Sequence, residues 1–187
     1  MKKTILTLAL LASAISFAQT STISVDTEKS VINWLAAKVT GEHNGTIKLK
    51  SGALEMSDAG LTGGQFEVDM TTINNLDLSG EYKDKLEGHL KSDDFFSVAN
   101  HPTAQLVFKE VTKRKDQNVY VVVGALTIKN ITHPITFDLE MNANEATTKV
   151  VVDRAKYDVR FRSASFFENL GDKLIFDDFE LDVKLVF

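Results

Sequence analysis

Along most of the chain, apolar and polar side chains alternate one for one. Gln65 to Thr72 reads Gln-Phe-Glu-Val-Asp-Met-Thr-Thr, so Phe66, Val68 and Met70 share one face and Glu67, Asp69 and Thr71 the other. A period of two belongs to a half-buried strand, whose successive side chains point to opposite faces. The same rhythm groups Ile135, Phe137, Leu139 and Met141, and again Phe179, Leu181, Val183, Leu185 and Phe187. Looser versions run over Ile32 to Val39, Thr46 to Leu54, Ala104 to Val111, Val119 to Ile128 and Thr147 to Val152, with a short strand at Ile23 to Asp26. Asn44-Gly45, Gly60 to Gly64, Lys115 to Asn118 and Asn142 to Asn144 carry turn chemistry between them. Thr132-His133-Pro134 suits a strand entry, because proline has no N–H to give a central ladder.

One segment departs from this rhythm. From Ser79 to His101 alternation stops, and Tyr82, Leu86, His89 and Leu90 fall at helical spacing on one stripe. Ser92 is expected to cap a further turn through Asp93, Asp94, Phe95 and Phe96. So long an insertion between strands carries a site, or plugs one end of the fold. About eight strands with almost no helix to cover them must close into a barrel or pack sheet on sheet. The pattern therefore predicts a single all-β domain of about eight strands with a short helical insertion, closed as a barrel or packed sheet on sheet.

The first eighteen residues stand apart. Lys2 and Lys3 precede an apolar run from Ile5 to Ile15, and Ser16-Phe17-Ala18 places small residues where a signal peptidase reads them. Residues 1–18 are expected to be a signal peptide cleaved before Gln19, leaving a periplasmic or secreted domain over 19–187. The run is too short to span a bilayer as a helix.

Composition narrows the chemistry. The chain has no cysteine, which removes thiol nucleophiles, iron–sulfur clusters and cysteine-ligated zinc. A net charge of -5 argues against a nucleic-acid partner. Removing residues 1–18 takes two lysines and no acid, leaving 19 basic and 26 acidic residues and a net charge of -7. Eleven of the 12 phenylalanines remain, beside three tyrosines and one tryptophan, which favours a wholly apolar interior. Alternation alone does not separate a filled barrel from a hollow one that holds a ligand. On the alternating faces, Trp34, Phe66, Val68, Met70, Phe108, Phe137, Leu139, Phe161 and Phe179 are the candidate wall residues.

Among charged groups, Arg154, Arg160 and Arg162 gather within nine residues of an acidic chain. Guanidinium forks suit an anionic head group, and equally a pairing with Asp153, Asp158 or Glu168. Phe166 and Phe167 fall in the long irregular stretch from Tyr157 to Asp172, placed to fold over a barrel mouth. The four histidines, His43, His89, His101 and His133, form no close metal-ligand pair. There is no nucleophile elbow and no phosphate-cradling glycine loop, so neither catalytic residue, metal nor cofactor is expected.

Two stretches carry a resemblance. His89 to Phe96, read with Asn100-His101-Pro102, and Gly124 to Ile135 resemble two signatures of the YceI-like lipid/polyisoprenoid-binding family. His43 and Asp178 to Val183 agree in order and spacing, so the likeness covers essentially the whole chain after the leader. Glu87-Gly88 and Asn130 depart from the usual pattern, which has Arg-Asp and glycine there. The resemblance implies a lipocalin-like, extended antiparallel β-barrel of about eight strands with a short helical insertion, which holds a long-chain isoprenoid or similar amphiphilic lipid tail inward. It adds His43 and His89 as candidate polar groups near a ligand, with Phe95 and Phe96 of the helical signature as further ligand-binding positions; Arg154 joins them from the arginine cluster. Carriage without stable membrane insertion is the expected function. Its alternatives are a barrel-mouth enzyme using His43 and His89, or an outer-membrane β-barrel. An exposed β surface also leaves a homodimer open.

Overall fold

The computed structural model describes residues 20–115 and 117–187; the expected leader lies outside them. The alternating stretches form strands β1 (Ser21–Ser24), β2 (Val31–Lys38), β3 (Gly41–Ser57), β4 (Gly60–Asn75), β5 (Thr103–Lys113), β6 (Val119–Ile128), β7 (Ile131–Met141), β8 (Glu145–Asp153) and β9 (Ile175–Val186). Among the described residues a single α-helix, α1 (Gly80–Lys91), connects β4 to β5. Neighbours run β3-β2-β9-β8-β7-β6-β5-β4, and β4 pairs back onto β3. The ring is thus a closed antiparallel barrel of eight strand positions. β1 pairs with Ala53 to Met56 of β3, whereas β2 pairs with Gly41 to Ile47. Both occupy the same side of β3, one after the other, so nine strands fill eight places.

Strand direction sorts the connections. The turn at Val39 and Thr40, the α1 segment, the turn at Lys129 and Asn130, and the 154–174 segment all fall at one end. Short turns after β3, β5 and β7 close the other. There Leu54, Val122 and Ala146 are 0% exposed and Leu139 only 1%, so that end is solid with side chains.

Outward positions carry the charge: Glu180, Asp182 and Lys184 on β9 are exposed, as are Thr136, Asp138 and Glu140 on β7. This sidedness, apolar within and charged without, is the reverse of what a bilayer-spanning barrel needs. Among the described residues no helix is long and apolar enough to cross a membrane.

Three local expectations are corrected. Asn44-Gly45 is not a turn: both lie in β3, opposite Leu35 and Trp34 of β2. Ser92 does not cap the following turn through its side chain; its hydroxyl donates instead to the His89 carbonyl at the end of α1. Tyr82, expected on the helix's apolar stripe, is 75% exposed; α1 fully buries none of its residues and covers the barrel mouth through Leu90, which lines the interior. β7 begins at Ile131, ahead of Pro134, and pairs with β8 only at Glu140 and Met141. Pro134 therefore stands where β7 has no ladder partner on that side, and its missing N–H costs little.

Candidate binding cavity

The positions that alternation turns inward include one class of residue with no side chain. A Cβ on Gly45 would come within 2.5 Å of the Trp34 ring and 2.0 Å of the Asn74 carbonyl. One on Gly52 would meet the Phe66 ring at 2.7 Å, and one on Gly64 would meet Phe108 at 2.9 Å. Each glycine leaves room for a large ring on a neighbouring strand. The Trp34 indole is fixed further by donating Nε1–H to the Thr46 carbonyl at 3.2 Å.

These rings do not fill the barrel. A cavity of about 190 Å³ runs along its interior, lined among others by Ile32, Leu106, Leu126, Val150, Leu181 and Val183. The inward side chains Phe179, Leu181 and Val183 are only half-buried although they face the barrel axis, because they border this space. Phe66, Phe108 and Phe137 follow one another at ring-centre distances of 5.4 and 5.9 Å. Nearer the mouth, Phe95, Phe96 and Phe179 continue the series at 5.0 and 6.4 Å. Such a wall offers hydrocarbon a dry surface and offers water no partner.

Among the described residues, the polar lining side chains besides the engaged Trp34 indole are Thr148 and Arg154. Arg154 is 2% exposed and follows β8 directly. It donates Nε–H to the Phe176 carbonyl at 3.1 Å, Nη1–H to Val159 at 2.7 Å and Nη2–H to Ile175 at 3.0 Å. Asp177 lies 3.3 Å from Nη2, and the guanidinium stands over the Phe95 ring at 5.3 Å. Burial pulls its pKa down, while Asp177 and Asp153 push it back up. Arg154 therefore clamps the 154–174 segment to the start of β9 and sets one cation in a largely apolar wall.

The other expected site residues divide cleanly. Trp34, Phe66, Val68, Met70, Phe95, Phe96, Phe108, Phe137, Leu139 and Phe179 line the cavity together with Arg154. His89 and Phe161 stand behind the wall: the imidazole packs on Phe161 at 4.4 Å and Phe95 at 5.7 Å, and its buried Nε2 has no partner. His43 lies off the wall altogether. Its Nδ1 meets Asp77 at 2.7 Å, and Asp77 also accepts the Asn44 N–H at 2.9 Å and the Asn75 amide at 2.5 Å. Burial acts to raise the Asp77 pKa, but these hydrogen bonds outweigh it and hold the carboxyl at about 2. Fully buried Asn75 donates its backbone N–H to Glu87 Oε1 at 2.8 Å, so this polar knot ties α1 to the ends of β3 and β4. Among the described residues no three His, Asp or Glu side chains converge on a metal site.

Sequence reasoning missed most of the aliphatic wall. Ile32, Ile47 and Leu106 each sit on a strand whose alternation is visible, and weighting rings over aliphatics passed them by. Phe176 was missed for another reason: the alternation marks the last strand only from Phe179, whereas β9 begins at Ile175.

The profile of the YceI-like domain matches residues 23–187. The chain belongs to the YceI-like family. A UPF0312 protein of Staphylococcus epidermidis is 33% identical over 102 residues, covering 49% of this chain and 54% of its own. A UPF0312 protein of Staphylococcus aureus is 36% identical over 92 residues, 43% of this chain and 50% of its own. The chain thus spans about half the length of the curated relatives it matches. Among solved structures, Burkholderia cenocepacia BcnA superposes with a TM-score of 0.70 at 18% identity, over 87% of this chain and 99% of that one. A polyisoprenoid-binding domain from Saccharophagus degradans gives 0.58 at 16% identity, over 90% and 97%. At these identities the solved structures speak for the YceI-like barrel fold.

Proposed function

We propose that this YceI-like chain sequesters or carries a long-chain isoprenoid or similar amphiphilic lipid, tail inward along the barrel and head group toward the Arg154 end. One observation carries the reading: the barrel is hollow, its wall is apolar, and its one charged lining residue lies at the mouth. Each buried methylene gains roughly 0.8 kcal/mol, so a few isoprene units are retained without polar specificity. The neighbour described as polyisoprenoid-binding supports the same class of cargo. A binding role, rather than catalysis, agrees with His43 engaged to Asp77 and His89 packed among rings. The signal-like residues 1–18 support export, so the proposal places the mature chain, beginning at Gln19, in the periplasm or outside the cell.

Native mass spectrometry of gently purified protein tests the reading. A mass increment that extracts into organic solvent, and that polyprenyl or fatty-acyl lipids restore after delipidation, is the expected result. Protein that arrives empty and takes up neither lipid contradicts it.

A further inference from the structure

The mouth of the barrel is where the molecule leaves large apolar side chains in water. Six of the nine exposed large apolar residues found among the described residues cluster at that end: Val39, Leu76, Tyr82, Phe166, Phe167 and Phe176. Four of them are tied to one spot. The Val39 N–H donates to the Leu174 carbonyl, the Ile175 N–H to Arg162, and the Ser165 hydroxyl to Asp177, which draws Val39, Phe166, Phe167 and Phe176 together around the start of β9. Phe176 is 47% exposed and also lines the cavity, so the outer patch and the interior wall are continuous.

Residues 154–174 hold five basic and three acidic side chains, with Asp153, Asp177 and Asp178 flanking the segment. Arg160 stands over the Phe166 ring at 5.1 Å and Arg162 over Phe161 at 5.0 Å. Arg162 and Lys173 have no ion pair among the described residues, where Arg160 has Asp158. Exposed aromatics flanked by unpaired cations are the composition of an interfacial anchor, with rings at the acyl boundary and cations at the head groups.

We propose that segment 154–174 docks the mouth of the barrel on an anionic lipid surface, with Phe166 and Phe167 as the inserted side chains and Arg162 and Lys173 against the head groups. The open end of the cavity then faces the membrane, and cargo passes between bilayer and barrel without crossing water. The proposal rests on lipid carriage for that purpose, but docking and uptake are read by separate experiments.

Flotation of the purified chain with phosphatidylcholine vesicles, with and without phosphatidylglycerol, tests it. The wild type is expected to float with the anionic vesicles, and added salt to weaken the association. F166S/F167S is expected to lose binding by at least about tenfold, since each ring removed from water is worth roughly that factor or more. R162A/K173A is expected to lose the preference for phosphatidylglycerol. Both variants should keep their melting temperature and the uptake of polyprenol from detergent; if F166S unsettles Arg160, F167S alone carries the test. A wild type that does not float, or an F166S/F167S variant that floats equally, overturns the proposal. So does a wild-type dimer that F166S/F167S converts to monomer with no change at vesicles, which makes the patch a contact between copies. Loss of polyprenol uptake with flotation intact counts against carriage and leaves docking standing.

Discussion

Gly45 lies flat against the indole of Trp34: a Cβ there would meet the ring at 2.5 Å and, on its other side, the Asn74 backbone carbonyl at 2.0 Å. Because one obstacle is backbone, nothing flexible can yield. Gly45→Ala is therefore expected to destabilise the barrel by about 1–3 kcal/mol, the usual cost of overpacking. Gly88, within α1, has nothing near its missing Cβ. Gly88→Ala should instead stabilise by up to about 1 kcal/mol, through helix propensity. Urea unfolding of the pair reads both signs.

A hollow barrel makes core substitutions unequal. Leu54 is fully buried in the solid end, and Leu181 borders the cavity. Leu54→Ala should cost about 2–5 kcal/mol, as a truncation in packed surroundings does. Leu181→Ala removes a side chain with fewer partners and should cost less than half as much. Equal losses would mean that the interior is filled.

Arg154 is expected to matter first for folding. Arg154→Ala strands three carbonyl acceptors and removes the cation beside Asp177. A loss of about 3 kcal/mol or more follows from leaving buried polar partners unmade. Chemical denaturation checks the size. Arg154→Lys should recover part of it, because the charge returns and the fork does not.

Asp77 gives the mouth an acid-sensitive hinge. Its folded pKa, about 2, lies below the ordinary value of 3.8. The depressed value means that its contribution is present above pH ~4, falls away as pH drops toward 2, and is absent once the carboxyl is protonated in both states. The shift corresponds to about 2 kcal/mol. Stability measured from pH 5 to pH 2 should fall more steeply in the wild type than in Asp77→Asn.

Much of this architecture is legible from periodicity. Val119 to Ile128 matches β6 end to end, and the alternation at Gln65 to Thr72 marks the centre of the longer β4. Strand ends were less legible: β3 begins at Gly41, because Asn44-Gly45 has the composition of a turn while Gly45 serves the Trp34 contact. Alternation says which side chains share a face and is silent on whether that face is filled, so the cavity around Leu181 and Val183 emerged only in three dimensions. His43 was out of reach for a similar reason, since its partner Asp77 lies 34 residues away.

Trp34 is the sole tryptophan and lies on the cavity wall, so its fluorescence reports the interior directly. Titrating delipidated protein with a long-chain amphiphile brominated along its tail tests the central claim, because bromine quenches an indole only on contact. Saturable quenching at one amphiphile per chain, reversed by unlabelled polyprenol, is the predicted result. Unchanged Trp34 emission, with the amphiphile recovered free in solution, would contradict it.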